Sequence, residues 1–142
     1  MPGDGEPIEL GNISARKDLG YARDYVEGMW SMLQYKYGDD FVMGTGELHT
    51  VSDFVEEAFR VVGINVHCKG SGVNEVGLSD SEELLVLVKV NSKFFGPLES
   101  DNYLADYSKA REKLGWEPKT GLRNFVNIMA KHDLSIMESQ GH

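Results

Sequence analysis

Residues 50 to 63, TVSDFVEEAFRVVG, write both ends of one helix into the chain. Thr50 with Asp53 three positions on is a capping-box-like start, Val51, Val55, Phe59 and Val62 recur at helical spacing, and Gly63 stops the run. Directly before it, DFVMGTGE (residues 40–47) is a compact apolar stretch closed by Gly44 and Gly46, the pattern of a buried strand opening into a loop. A strand, a glycine loop and an amphipathic helix in that order restrict the chain to folds in which strands and helices alternate.

The rest of the chain keeps that alternation. EPIELG is apolar at Ile8 and Leu10 and ends in Gly11-Asn12, a strand entering a loop. From about Arg23 the positions Val26, Met29, Trp30, Leu33 and Tyr37 recur every three or four residues, which predicts a helix ending near Gly38 with that stripe inward. INVHCKG reads as a strand, SGVNEVGLSDSEE as a loop and LLVLVKV as a β-branched strand. Ser108 is placed to cap the helix KAREKL, which Gly115 ends. A last helix runs from near Gly121 to about Met137, with Leu122, Phe125, Val126, Met129 and Ile136 inward.

At 142 residues the chain is read as one region, 1–142, large enough to bury a core. A hydrophobic fraction of 41% excludes a disordered composition, and the net charge of −9 argues against a sequence-independent nucleic-acid binder, which needs many cations for phosphate. Cys68 stands alone, so no internal disulfide is possible. No stretch is long and apolar enough for a membrane span, and MPGDGEPIEL is no signal peptide, so the expectation is a cytoplasmic protein without membrane contact.

Motifs that carry chemistry are mostly missing. There is no Gly-x-Gly-x-x-Gly turn, no P-loop lysine and no Gly-x-Ser-x-Gly elbow, and His49, His67, His132 and His142 lack metal-ligand spacing. Gly44-Thr45-Gly46 and Gly70-Ser71-Gly72 read as turns. One cluster stands out: Arg16, Lys17, Asp18, Arg23 and Asp24 lie between a strand end and a helix. Two readings fit it. Lysine or arginine beyond a strand's carboxyl end can meet a phosphate, and Asp18, Arg23, Asp24 and Glu27 can equally form a set of surface salt bridges.

Five blocks together carry a family resemblance: LGNISARKDLGYARDYVEGMWSML, DFVMGTGELHTVSDFVEEAF, GVNEVG, VKVNSKFFGPLESDNYLAD and SKAREKLGWEPKTGLRNFVNIMAKHDL. In this order and spacing they resemble the C-terminal portion of the GDP-mannose 4,6-dehydratases, within the extended short-chain dehydrogenases. The likeness runs from about Ile8 to Leu134. It implies an α/β fold: the substrate-binding C-terminal part of a Rossmann-fold enzyme, without the N-terminal dinucleotide-binding half. The family is a lyase that uses NADP to turn GDP-mannose into GDP-4-keto-6-deoxymannose on the way to GDP-fucose, its base a tyrosine of a Tyr-x-x-x-Lys pair.

That pair and the cofactor glycines lie upstream of the matched region in the family, and Tyr107 with Arg111 is the nearest approach here. The resemblance therefore implies no catalytic residue and no cofactor bound by this chain alone. It does carry over substrate-binding positions: Leu10 and Gly11 toward the guanine nucleoside, Lys17 toward the diphosphate and Glu99 toward the ribose or base. Two family arginines have changed. Lys17 stands where the family's basic pair ends in arginine, and Gly96-Pro97-Leu98-Glu99 stands where it has Arg-Pro-x-Glu. A hydrogen bond to a charged group contributes about 1.5–3 kcal/mol, so losing two weakens diphosphate binding roughly 10² to 10⁴-fold. The expected partners are GDP-mannose or GDP, bound weakly. The alternative is a non-catalytic module that associates with itself or with a full-length dehydratase.

Overall fold

The computed structural model describes residues 5–81, 85–96 and 103–141. Its chain divides into two compact units, Met1–Ala15 with Thr50–Ser100 and Arg16–His49 with Asp101–His142.

The first unit is a four-stranded mixed sheet with one helix. Strands β1 (Ile8–Leu10), β4 (Val66–Lys69), β5 (Val76–Ser79) and β6 (Val86–Val90) pair in the order β1-β6-β5-β4. The β1–β6 pair is parallel, with Ile8 opposite Val88 and Leu10 opposite Val90, and the other pairs are antiparallel. Helix α2 (Val51–Val61) packs beside β4. Ile13, Ala15, Val55, Val66 and Val88 form the buried core, while Val62, expected inward, is 44% exposed.

The start of α2 accounts for its first donors one by one. The amides of Val51 and Ser52 donate to the carbonyls of Ala15 (3.1 Å) and Ile13 (2.8 Å). The Asp53 amide donates to Thr50 Oγ1 (3.0 Å), and the Asp53 carboxylate accepts the Thr50 amide, completing the capping box read from the sequence. Strand β5 corrects the loop expected across residues 71–83. Only Val76 and Leu78 alternate there, and Gly77 between them hides the pattern. A Cβ at Gly77 would lie 3.2 Å from both Val66 and Val88, so the glycine admits close packing in a central strand.

The second unit holds helices α1 (Ala22–Gln34), α3 (Ser108–Leu114) and α4 (Leu122–Ser139) and a two-stranded sheet of β2 (Arg16–Asp18) and β3 (Leu48–Thr50). Its buried residues include Asp24, Gly28, Ala110, Trp116, Leu122, Phe125 and Val126. Helix α3 ends as expected, with Gly115 in the left-handed region at φ 64°. Its start is shifted by one. Tyr107 occupies the cap position, and the Asp106 carboxylate accepts the Ser108 amide (2.9 Å).

Three expectations fail in this unit. Helix α1 stops at Gln34, short of Gly38, and its stripe faces outward: Val26, Met29, Trp30 and Leu33 are 59–83% exposed, while Asp24 and Gly28 are buried. On α4 the inward side ends at Val126, and Met129 and Ile136 are exposed. Residues 40–47 contain no strand and pair with none among the described residues. The residue pattern is right in each case, but the neighbour that would cover it is not among the described residues of this chain.

Candidate functional site

In the first unit, Leu10 closes β1 and Gly11 follows it at the carboxyl end of the parallel pair β1–β6. The Leu10 carbonyl accepts the Asn91 amide (2.8 Å), and the Asn91 carbonyl accepts the Phe94 amide (2.9 Å), so the chain after β6 turns back over this end. A Cβ at Gly11 would stand 2.6 Å from the Phe94 carbonyl oxygen. Glycine is therefore required for that close approach before any ligand is considered. Asn91 also donates to Glu9 from its side-chain amide (2.5 Å), and Lys89 pairs with Glu9 at 2.9 Å. In open α/β sheets ligands collect beyond the carboxyl ends of parallel strands, which is where Leu10 and Gly11 stand.

In the second unit, Arg16 and Lys17 are consecutive residues of β2, Arg16 exposed and Lys17 half-buried. Successive strand residues point to opposite faces, so Arg16 cannot take over the direction of Lys17. Gly96 is half-buried at the end of a described stretch, and Glu99 lies outside the described residues. Leu10 and Gly11 thus belong to one unit and Lys17 to the other.

The acids of the cationic cluster hold structure that sequence reasoning missed. Asp18 accepts the amide and hydroxyl of Thr45 (2.7 and 2.5 Å) and the amides of Gly46 (3.0 Å) and Ala105 (3.2 Å). Burial pushes its pKa up, but those bonds, led by the Thr45 hydroxyl, outweigh it and hold the carboxyl below its ordinary range. Asp24, 4% exposed, accepts the amides of Lys119 (2.9 Å) and Thr120 (2.8 Å), and the Trp116 indole donates to its carbonyl (2.7 Å). Of the expected salt-bridge set only Arg23–Glu27 is present, at 3.7 Å and well exposed. The available signal was an acid adjacent to Lys17 and another adjacent to Arg23, which sequence cannot separate from charge pairs.

Beside the Asp18 anchor lies a polar cavity of about 240 Å³, lined by Leu19, Thr45, Glu47, His49, Tyr107 and Lys119 among others. His49 Nε2 stands 3.5 Å from Glu47 at its wall. Among the described residues no group of three or more His, Cys, Asp or Glu side chains could hold a metal ion, and no helix is long and apolar enough to cross a membrane. Cys68 is half-buried. Its burial, together with Glu56 and Glu75, raises the thiol to about 11.

Comparison with known proteins gives these features a family. A family profile described as GDP-mannose 4,6 dehydratase matches residues 2–129. The chain is 43% identical over 132 residues to a GDP-mannose 4,6 dehydratase of Drosophila melanogaster, covering 93% of this chain and 33% of that protein. It is 40% identical to the Homo sapiens protein of the same name, covering 94% and 36%. The chain thus spans about a third of the length of the curated relatives it matches. In fold it is similar to a UDP-glucose 4-epimerase of Thermotoga maritima solved with UDP-glucose (TM-score 0.66, 22% identity, 93% of this chain and 36% of that one). It is also similar to RMD from Pseudomonas aeruginosa complexed with NADPH (TM-score 0.64, 10% identity, 88% and 35%). The family match extends over nearly all of the chain, through β1, the cationic segment and α1 to α3 and into α4, and the chain belongs to the GDP-mannose 4,6-dehydratase family.

Proposed function

We propose that this chain is the GDP-sugar-binding C-terminal third of a GDP-mannose 4,6-dehydratase and supplies the nucleotide pocket without the hydride chemistry. The observation that carries this reading is the family match over residues 2–129. Leu10 and Gly11 at the carboxyl end of the parallel pair support a nucleoside position, and the half-buried Lys17 supports a cation for the diphosphate. Glu99 is assigned to the ribose or base on family position alone.

The start of α2 does not fit a dinucleotide's pyrophosphate. A dinucleotide's pyrophosphate needs free amides at a helix start after a glycine turn. The first three amides of α2 are taken by Ala15, Ile13 and Thr50. We place the cofactor and the acid-base residues in the part of the family fold that this chain does not match.

Titration calorimetry with GDP tests the pocket. Weak binding is expected for the wild type, with tightening of at least tenfold in the K17R/G96R double variant, since two guanidinium forks are restored. A restored variant that still shows no GDP heat sinks the reading. Purified chain with GDP-mannose and NADP⁺ should yield no 4-keto-6-deoxy product, and any product would overturn the division of labour.

A further inference from the structure

Glu75 lies in the first unit and is buried although it carries a carboxylate, with 6% of the residue exposed. Among the described residues it has no cationic partner and belongs to no group of three or more side chains that could hold a metal ion. Its one side-chain bond there is to Ser14, an exposed residue 61 positions away in sequence, whose hydroxyl donates to Glu75 Oε2 at 2.6 Å. A carboxylate taken out of water with a single donor is costly. Its neighbours at this end of the sheet, Val90 and Leu10, are apolar, so packing alone does not call for an acid.

The two ends of the bond explain its place. The Glu75 carbonyl accepts the Val90 amide (3.2 Å), and Val90 lies opposite Leu10, so Glu75 stands two strands, about 10 Å, from Leu10 at the same end of the sheet. Ser14 lies within residues 11–15, the loop by which the chain leaves β1 through Gly11. The loop's backbone is tied locally and to α2: Asn12 accepts the amides of Ala15 (3.3 Å, at its carbonyl) and Ser14 (3.2 Å, at Oδ1), and the carbonyls of Ile13 and Ala15 receive the start of α2. The Ser14 hydroxyl ties it to the head of β5 as well. Little slack is left at Gly11, where a Cβ would stand 2.6 Å from the Phe94 carbonyl oxygen. Resting on the nucleotide-pocket reading above, we propose that Glu75 is a positioning residue for the nucleoside end of that pocket. Through Ser14 it holds loop 11–15, and Gly11 with it, in the conformation that GDP binds, and its carboxylate acts on the loop and not on the ligand.

The full 142-residue chain carrying K17R/G96R is the reference, titrated with GDP well below every variant's unfolding midpoint so that all molecules are folded. Ser14→Ala should weaken GDP at least fivefold, and Ser14→Thr, which keeps the hydroxyl, should bind within twofold of the reference. Glu75→Ala should weaken GDP as Ser14→Ala does, and the two together should cost no more than either alone, because they act as one unit. Without GDP, amide exchange of Ala15 should be at least tenfold faster in Ser14→Ala, while the amides of β6 keep their rates. A merely structural role would speed exchange throughout the sheet and leave the affinity of folded molecules unchanged. The proposal is overturned by a loss under fivefold in Ser14→Ala, by Ser14→Thr binding as weakly as Ser14→Ala, or by an Ala15 amide whose exchange does not respond. A Glu75→Ala chain that does not fold leaves the Ser14 pair of variants to decide. No GDP heat from K17R/G96R itself is the failure of the pocket reading, and this proposal falls with it; heat that ignores Ser14 overturns this proposal alone.

Discussion

Asp18 lies one residue from Lys17 and accepts four hydrogen bonds, three of them from residues 45 and 46 and one from residue 105. The negative charge therefore fixes the frame on which the neighbouring cation stands. Asp18→Asn removes the charge and turns half of the group into a donor facing donors, which should cost about 2–3 kcal/mol in chemical denaturation. The carboxyl's folded pKa lies below its unfolded value of about 3.9, so its contribution is present above that pH and lost as pH falls through the lowered folded value. The wild type should accordingly lose stability on the acid side more steeply than Asp18→Asn, as read from denaturation midpoints between pH 5 and 2. Cys68 is governed by burial instead. With its thiol raised to about 11, alkylation by iodoacetamide at pH 8 should be at least tenfold slower in the folded chain than in urea, where the thiol returns to about 8.5.

Some element ends were legible from punctuation in the sequence, although Gly38 did not end α1 and Ser108 did not cap α3. Thr50 and Asp53 announced the start of α2, and Gly115 the end of α3, because caps are local chemistry. Facing direction was not legible. A 3.6-residue period in Val26, Met29, Trp30 and Leu33 establishes one apolar side, but only a neighbour decides whether that side is covered, and on α1 the packed side carries Asp24 and Gly28. Of the candidate site, Leu10, Gly11 and Lys17 are proposed on resemblance, whereas the roles of Asp18 and Asp24 were hidden because an amide acceptor and a salt-bridge partner are spelled alike. Gly28 gives the packed side of α1 a sharp test. A Cβ there would lie 2.1 Å from Met43 Cε and 2.9 Å from Trp116 Nε1, an atom already committed to the Asp24 carbonyl. Alanine should gain about 1 kcal/mol of helix propensity and lose more to overpacking, for a net destabilisation of about 1–2 kcal/mol in denaturation. Adding Met43→Ala should recover part of that loss, since it removes the nearer clash.

For the molecule as a whole, a net charge of −9 and an outward apolar stripe act against each other. Charge repulsion keeps copies apart at neutral pH, and protonating carboxylates weakens it. Turbidity should rise as pH falls toward 5, less so for Trp30→Glu, and added salt at pH 7 should move the wild type in the same direction by screening. The first unit is built from two separated stretches, Met1–Ala15 and Thr50–Ser100, and among the described residues β1 finds its strand neighbour when Ile8 meets Val88. On a ribosome adding about 5–20 residues per second, the first strand waits about 4–16 seconds before its neighbour has even been polymerised. The carbonyls of Ile13 and Ala15 that receive the start of α2 become useful far sooner, when residues 51 and 52 emerge. Folding of this unit on the nascent chain is therefore ordered by emergence: the helix start docks first, and the sheet closes last.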